Sequence, residues 1–295
     1  MLILLIQLED RTRLEAFLAT IAAGNGSYSE GDNDAIVQAL GLLPSQRAAA
    51  LTQQIIAGNT AASLTACGNL LARLAASGEH GRDGELRAAA TGLVDALPGD
   101  PQRAAAERPW WQDRSVKSRF VLDLLEALCR IDPQLAEDAA GYMLTWPQTF
   151  NLDAVLIPAM RDLVRSTIAR EPAVQRLRDA CRAHLRARIA KPLAPPHDWS
   201  RASVLPCQCR HCADLSRFLA DPERRAWAFK AVEAERSHVE QTIQRAHCDV
   251  DVSTDRRGRP YTLVCTKNQA SYDRRAKQRS KDLEDMIHLG GGDRS

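Results

Sequence analysis

The first 190 residues repeat one pattern, with apolar side chains three and four positions apart and short polar breaks between sets. Ile36, Leu40 and Leu43 follow Asp34; Ala48, Leu51 and Ile55 follow Ser45; Leu64, Cys67, Leu71 and Leu74 follow Asn59. Further on come Leu135, Ala139 and Met143, then Leu152, Leu156, Met160 and Val164 behind Asn151, then Val174, Leu177, Cys181 and Leu185. A helix turns once in about 3.6 residues, so each set lies on one helical face. Asp100-Pro101, Asp132-Pro133, Glu171-Pro172 and Asp221-Pro222 read as helix starts. An acidic N-cap accepts first-turn amides, and proline at the first helical position lacks only an amide that the turn does not use. The opening MLILLIQLED is expected to run on as one helix into RTRLEAFLATIAAG. Residues 77–114 carry the weakest pattern and are expected to loop over the surface, with Trp110 and Trp111 against the core.

Helices of this length with short connections pack antiparallel to their neighbours. No consensus recurs at a fixed period, which argues against a strict tetratricopeptide or ankyrin array. The expected fold is mainly α: an irregular antiparallel helical-pair array, HEAT-like in the loose sense, over residues 1–190, with a closed helical bundle as the alternative. The pattern breaks at 191–206, KPLAPPHDWSRASVLP, where four prolines in 16 residues preclude a helix interior and suggest a linker or strap. Residues 207–290 then read as a small α+β module. A helix over ADLSRFLA is followed by a long helix from Asp221-Pro222 to about Ala246. Val250 and Val252 on one arm, and Tyr261, Leu263 and Cys265 on the other, form a β-hairpin around RRGRP. A final helix covers Gln269 to Leu289, and 291–295 is a frayed tail.

Composition agrees with this picture. Hydrophobic residues make up 45% of the 295 and charged residues 26%, which excludes wholesale disorder. Aromatics are 5%, as suits helices better than a sandwich or barrel. The first residues lack the basic segment and cleavage site of a signal peptide, and no run of about 20 apolar residues stands out as a membrane span. A cytoplasmic, reducing compartment is therefore expected, where clustered cysteines suggest metal before disulfides. A strongly apolar start with no polar cap fits the tail of a longer protein.

Five of the eight cysteines fall in the last 90 residues: Cys207, Cys209, Cys212, Cys248 and Cys265. Cys67, Cys129 and Cys181 lie on apolar stripes and read as core. C-x-C-x-x-C places three thiolates on one turn, and Zn²⁺ takes four ligands tetrahedrally. His238 is the first choice to complete a Cys207, Cys209, Cys212 set, because it lines up on the long helix with Trp227, Ala231 and Ala234. Cys248, Cys265, His211 and His247 compete for that place. Four protein ligands would leave no open position, so the zinc would be structural.

The phosphate-loop, dinucleotide-fold, nucleophile-elbow and H-E-x-x-H motifs are absent from the sequence, removing the best-marked enzyme classes. His247, Asp249 and His288 offer a weak two-histidine, one-carboxylate iron pattern without the strands that such sites need. Between Arg256 and Lys281, nine basic residues face one acid, Asp273, for +8. Arg256, Arg257, Arg259, Arg274, Arg275 and Lys277 could therefore form a phosphate-binding surface, although only Tyr261 and Tyr272 are at hand to stack on bases.

The stretch CQCRHCADLSRFLADPERRAW…RSHVEQTI…GRPYTLVCTKNQASY resembles the C-terminal part of large bacterial and fungal proteins whose front part is a prolyl 4-hydroxylase-like 2-oxoglutarate/iron(II) oxygenase. Cys207, Cys209, Cys212, Phe218-Leu219, His238 and Gly258 to Lys267 carry the resemblance, over about 75 residues. The jelly roll with its iron ligands is missing, so the resemblance implies the tail or a relative of an oxygenase. The expected function is a non-catalytic helical scaffold with a structural zinc site, binding a protein partner and no membrane. The alternatives are a nucleic-acid-binding module and part of an oxygenase.

Overall fold

In a computed structural model of the chain, residues 1–24, 28–78, 86–100 and 116–290 are described. They are mainly helical, with a small antiparallel sheet of three strands. Two compact units emerge: Met1–Ala187 together with Glu284–Ser295, and Arg188–Leu283.

The first unit holds α1 (Leu2–Gln7), α2 (Arg11–Ala22), α3 (Asn33–Gly41), α4 (Ser45–Ser77), α5 (Arg87–Asp95), α6 (Ser118–Ile131), α7 (Pro133–Thr145), α8 (Ile157–Leu163) and most of α9 (Pro172–Ile189). Its centre is α4, which packs against α2, α3, α5 and α6. The stripes Ala48, Leu51, Ile55 and Cys67, Leu71, Leu74 are buried there, on two stretches separated by non-helical backbone at Ser63 (φ −141°, ψ 51°). Asp132 caps α7 as its sequence implies, accepting from the amides of Gln134 and Leu135, and Asn151 likewise accepts from Asp153 and Ala154. Cys67, Cys129 and Cys181 are buried, and burial pushes each thiol up to about 12.

Two expectations for this unit need correction. The opening is two helices, because Glu9 turns into the left-handed region (φ 49°) and Asp10 restarts the chain by accepting the Arg13 amide. Residues 77–114 are not all loop: α5 buries Ala89, Ala90, Leu93 and Val94 from within them. The alanines there supply an apolar face too thin to stand out as a stripe. Trp110, Trp111, Pro101 and the tail 291–295 lie outside the described residues.

A buried polar seam joins α3, α4 and α6. Tyr28 donates to Asn33 Oδ1 at 2.7 Å; Asn33 donates to Asn69 Oδ1 at 3.0 Å; Asn69 donates to Asp123 at 3.1 Å. Arg119 closes the seam on Asp123 at 2.9 Å. Every member has a partner, so the seam fixes helix register at little desolvation cost. Desolvation raises the Tyr28 phenol far above its ordinary value.

In the second unit the expected long helix from Asp221 to Ala246 is replaced by a strand and a shorter helix. Asp221 accepts from the amides of Glu223 and Arg224, closing a turn instead of starting a helix. Strand β1 (Ala226–Lys230) follows, then α11 (Glu233–Arg245). The hairpin forms as its alternation implies, from β2 (Val250–Asp255) and β3 (Thr262–Lys267), and β3 lies between β1 and β2. Trp227 pairs with Cys265 and Phe229 with Leu263. Those side chains, with Val250, meet Leu215, Phe218 and Leu219 of α10 (Arg210–Ala220) and Val239 and Ile243 of α11 in one core. The final helix is α12 (Ala270–Gly290).

Close backbone approach in the first unit supplies a test. A Cβ on Gly58 would collide with the Ala22 carbonyl oxygen, and Asn59 Nδ2 already donates to Ile21 O at 2.9 Å. Gly58→Ala should lower stability by about 2 kcal/mol or more through forced separation of α2 and α4, read as a shift of the urea midpoint with an unchanged slope.

Candidate metal centre

Residues 191–206 form neither helix nor strand and belong to the second unit, where the strap is tied down before it reaches the cysteines. The Trp199 amide donates to Pro222 O at 2.8 Å, and the Arg201 amide donates to Leu219 O. Arg201 Nε donates to Asn268 O at 2.7 Å, while Trp199 sits 4.7 Å from the Arg225 guanidinium in a cation–π contact. Leu205 packs on the core, so Pro206 and Cys207 arrive at a defined point.

Cys209 is the N-cap of α10, and Cys212 lies in its first turn. Helix residues three apart share a face, which brings the two sulfurs to one side. His238 comes from α11, which packs against α10. Its Nε2 is 3.4 Å from Cys209 Sγ and 3.3 Å from Cys212 Sγ. The ligand atoms of Cys207, Cys209, Cys212 and His238 all lie within 4.8 Å of one another. A tetrahedral site with metal–sulfur bonds of about 2.3 Å separates its sulfurs by about 3.8 Å, so the set closes on an ion with small adjustment. Three soft sulfurs and one imidazole suit Zn²⁺ among the common divalent ions.

The environment divides the sulfurs. Cys209 is exposed, and its interactions with the Cys212 backbone and with the Cys212, His238 and Cys207 side chains lower its thiol to about 6. Cys212 is buried, and desolvation pushes it up to about 11. Thr242, which the sequence reading did not single out, supports this pair. Its hydroxyl donates to His238 O at 2.8 Å and accepts from Cys212 Sγ at 3.6 Å. Its position four residues beyond His238, on the same helical face, was the available signal.

The competitors stand elsewhere. Cys265 is in the core, raised to about 12 by burial, and Cys248 is half-buried and also raised by desolvation. His211 stacks on Phe229 at 5.1 Å and pairs with Glu235 at 3.3 Å. His247 lines a cavity of about 330 Å³ together with Ser200, Arg201, Ser203, Asp249 and Ser271. Asp249 is committed to holding the start of α12, accepting from the Ser271 amide at 2.9 Å and from its hydroxyl. His288 belongs to the other unit, with Arg165 3.4 Å away. Among the described residues the Cys₃His set is the one cluster with metal-ligand spacing, so the iron pattern of His247, Asp249 and His288 is not assembled.

The basic residues separate as well. Arg256, Arg257 and Arg259 sit exposed at the hairpin tip, where Asp255 holds Arg257 at 3.0 Å. Arg274, Arg275 and Lys277 are exposed on α12, which begins beyond the opposite end of β3. Six strand residues span about 20 Å, so the two clusters start at opposite ends of the sheet. Across Arg188–Leu283 there are 19 Lys/Arg against 12 Asp/Glu, or +7, in a chain whose total is +2.

No protein-family model, curated protein or solved structure matches this chain.

Metal content tests the site directly. Cys212→Ser and His238→Ala should each bring bound zinc below half an equivalent by elemental analysis, whereas Cys248→Ser should retain the full complement. Retention of zinc by both ligand variants would remove the assignment.

Proposed function

We propose that the chain is a non-catalytic interaction protein whose second unit is held in shape by a structural Zn²⁺. The observation that carries this reading is the complete Cys207, Cys209, Cys212 and His238 set, which leaves a tetrahedral ion no position for water or substrate. A catalytic zinc needs such a position; a structural one needs only to tie chain segments together. Here the ion would join the strap, α10 and α11, three segments that otherwise meet through a small core. Binding energy would then appear as folding energy. The helical first unit would supply contact surface for a protein partner. The resemblance to the rear part of oxygenase-type proteins is compatible with this role, and no catalytic step is proposed for the chain.

A second reading, nucleic-acid binding, is favoured by the +7 balance of the second unit and by the exposed Arg256 and Arg259. It predicts binding to mixed-sequence duplex that weakens steeply from low to physiological salt. The Arg256→Ala, Arg259→Ala pair should then reduce affinity about equally for all sequences; salt-independent binding, or none, would reject the reading.

Chelation separates structural zinc from mere surface thiols. A strong zinc chelator should raise amide exchange in α10, α11 and the sheet while leaving α4 and α6 protected. Unchanged exchange in a chain shown to be metal-free would overturn the structural role.

A further inference from the structure

We propose that Cys209 and Cys212 form a peroxide-sensitive dithiol whose oxidation to a disulfide expels the metal; this rests on the metal-site reading above. The argument begins with access. Cys209 is exposed at the start of α10, whereas Cys212 is 1% exposed beneath it and His238 is only partly covered. An oxidant arriving from solvent therefore meets Cys209 more readily than the half-buried Cys207, and well before Cys212. The resolving sulfur is already beside Cys209. Residues three apart across a helical turn place their Cβ atoms about 5–6 Å apart, close to disulfide reach. Cys207 Sγ also lies within 4.8 Å of both, but it is set in the strap and not at the start of the helix that holds the other two.

The chemistry balances with one hydrogen peroxide. Cys209 Sγ attacks an oxygen of the peroxide and the O–O bond breaks. One oxygen stays on Cys209 as sulfenic acid; the other leaves as hydroxide and takes a proton to become water. Cys212 Sγ then displaces the sulfenic hydroxyl, forming the S–S bond and releasing a second water. Two sulfurs lose two electrons and the peroxide gains them. Cys207 and His238 alone cannot retain the ion, which leaves. Because Cys207 ends the strap, ion loss also releases that end beyond Leu205.

The test uses the zinc-loaded full chain, titrated with hydrogen peroxide while a chromophoric chelator reads free zinc and mass spectrometry maps disulfides. Zinc content before peroxide scores the metal reading; the disulfide map scores the dithiol. One zinc should appear per Cys209–Cys212 disulfide, and dithiothreitol followed by zinc should restore the starting state. A Cys207→Ser chain should form the same disulfide whether or not it keeps the ion. The proposal is overturned by zinc retention at about tenfold peroxide excess, by sulfinic or sulfonic acid in place of a disulfide, or by a bridge to Cys207. A chain that never takes up zinc removes the expulsion together with the metal reading.

Discussion

In the second unit three sulfurs and one imidazole converge from three separately built segments. Its apolar core is small: Leu215, Phe218, Leu219, Trp227, Val239, Ile243, Val250, Leu263 and Cys265. A core this small leaves a staple more to contribute, because buried area must offset chain entropy. In the proposed zinc site the C-x-C-x-x-C turn would supply one where strap, α10 and α11 meet. Everything else there is arranged to bring the sulfurs to His238: the Asp221 turn, the third strand and the amide contacts of Trp199 and Arg201.

Polar groups without solvent finish what the core leaves undone. Lys267 is 1% exposed at the end of β3. Its ammonium donates to Asp221 O at 2.6 Å and lies 4.5 Å from the Phe218 ring centroid. Burial draws its pKa below the usual lysine value, with the Asp221 charge opposing. The same lysine thus holds the turn that replaces the expected helix start. Arg188 plays a related part on Asp282, which it grips through two hydrogen bonds of 2.6 Å. Each pair ties an element end to a distant part of its own unit, where few apolar contacts are available.

The helical unit was largely legible because its signals are local. Stripes at helical spacing, and caps such as Asp132 and Asn151, act within a few residues. The C-x-C-x-x-C cluster was legible for the same reason, and His238 because α11 keeps it facing α10 even though that helix begins later than its sequence suggests. The strand β1 was not legible. Asp221-Pro222 can open a helix or close a turn with the same side-chain acceptor, and Trp227, Ala231 and Ala234 fit a helical stripe. The alternation of Trp227 and Phe229 toward the core is decided by pairing with β3, some 35 residues away. Thr242 was missed because its one signal, the place four residues beyond His238, gains meaning only once Cys212 is set beside it.

The break at Ser63 has a consequence for α4. By length and composition this helix qualifies as a membrane-spanning candidate, although 61% of its most apolar window is buried within the protein. A hydrocarbon layer of about 30 Å asks for one straight cylinder of about 20 residues. The stretch before Ser63 covers 45–62 and the stretch after it 64–77, about 27 Å and 21 Å of helix at 1.5 Å per residue. Each rod alone is shorter than that layer is thick. The apolar side chains that mark α4 as lipid-like are instead shared between two shorter rods, each turned toward different neighbours. A single non-helical residue thus divides the longest helix of the described residues into two rods.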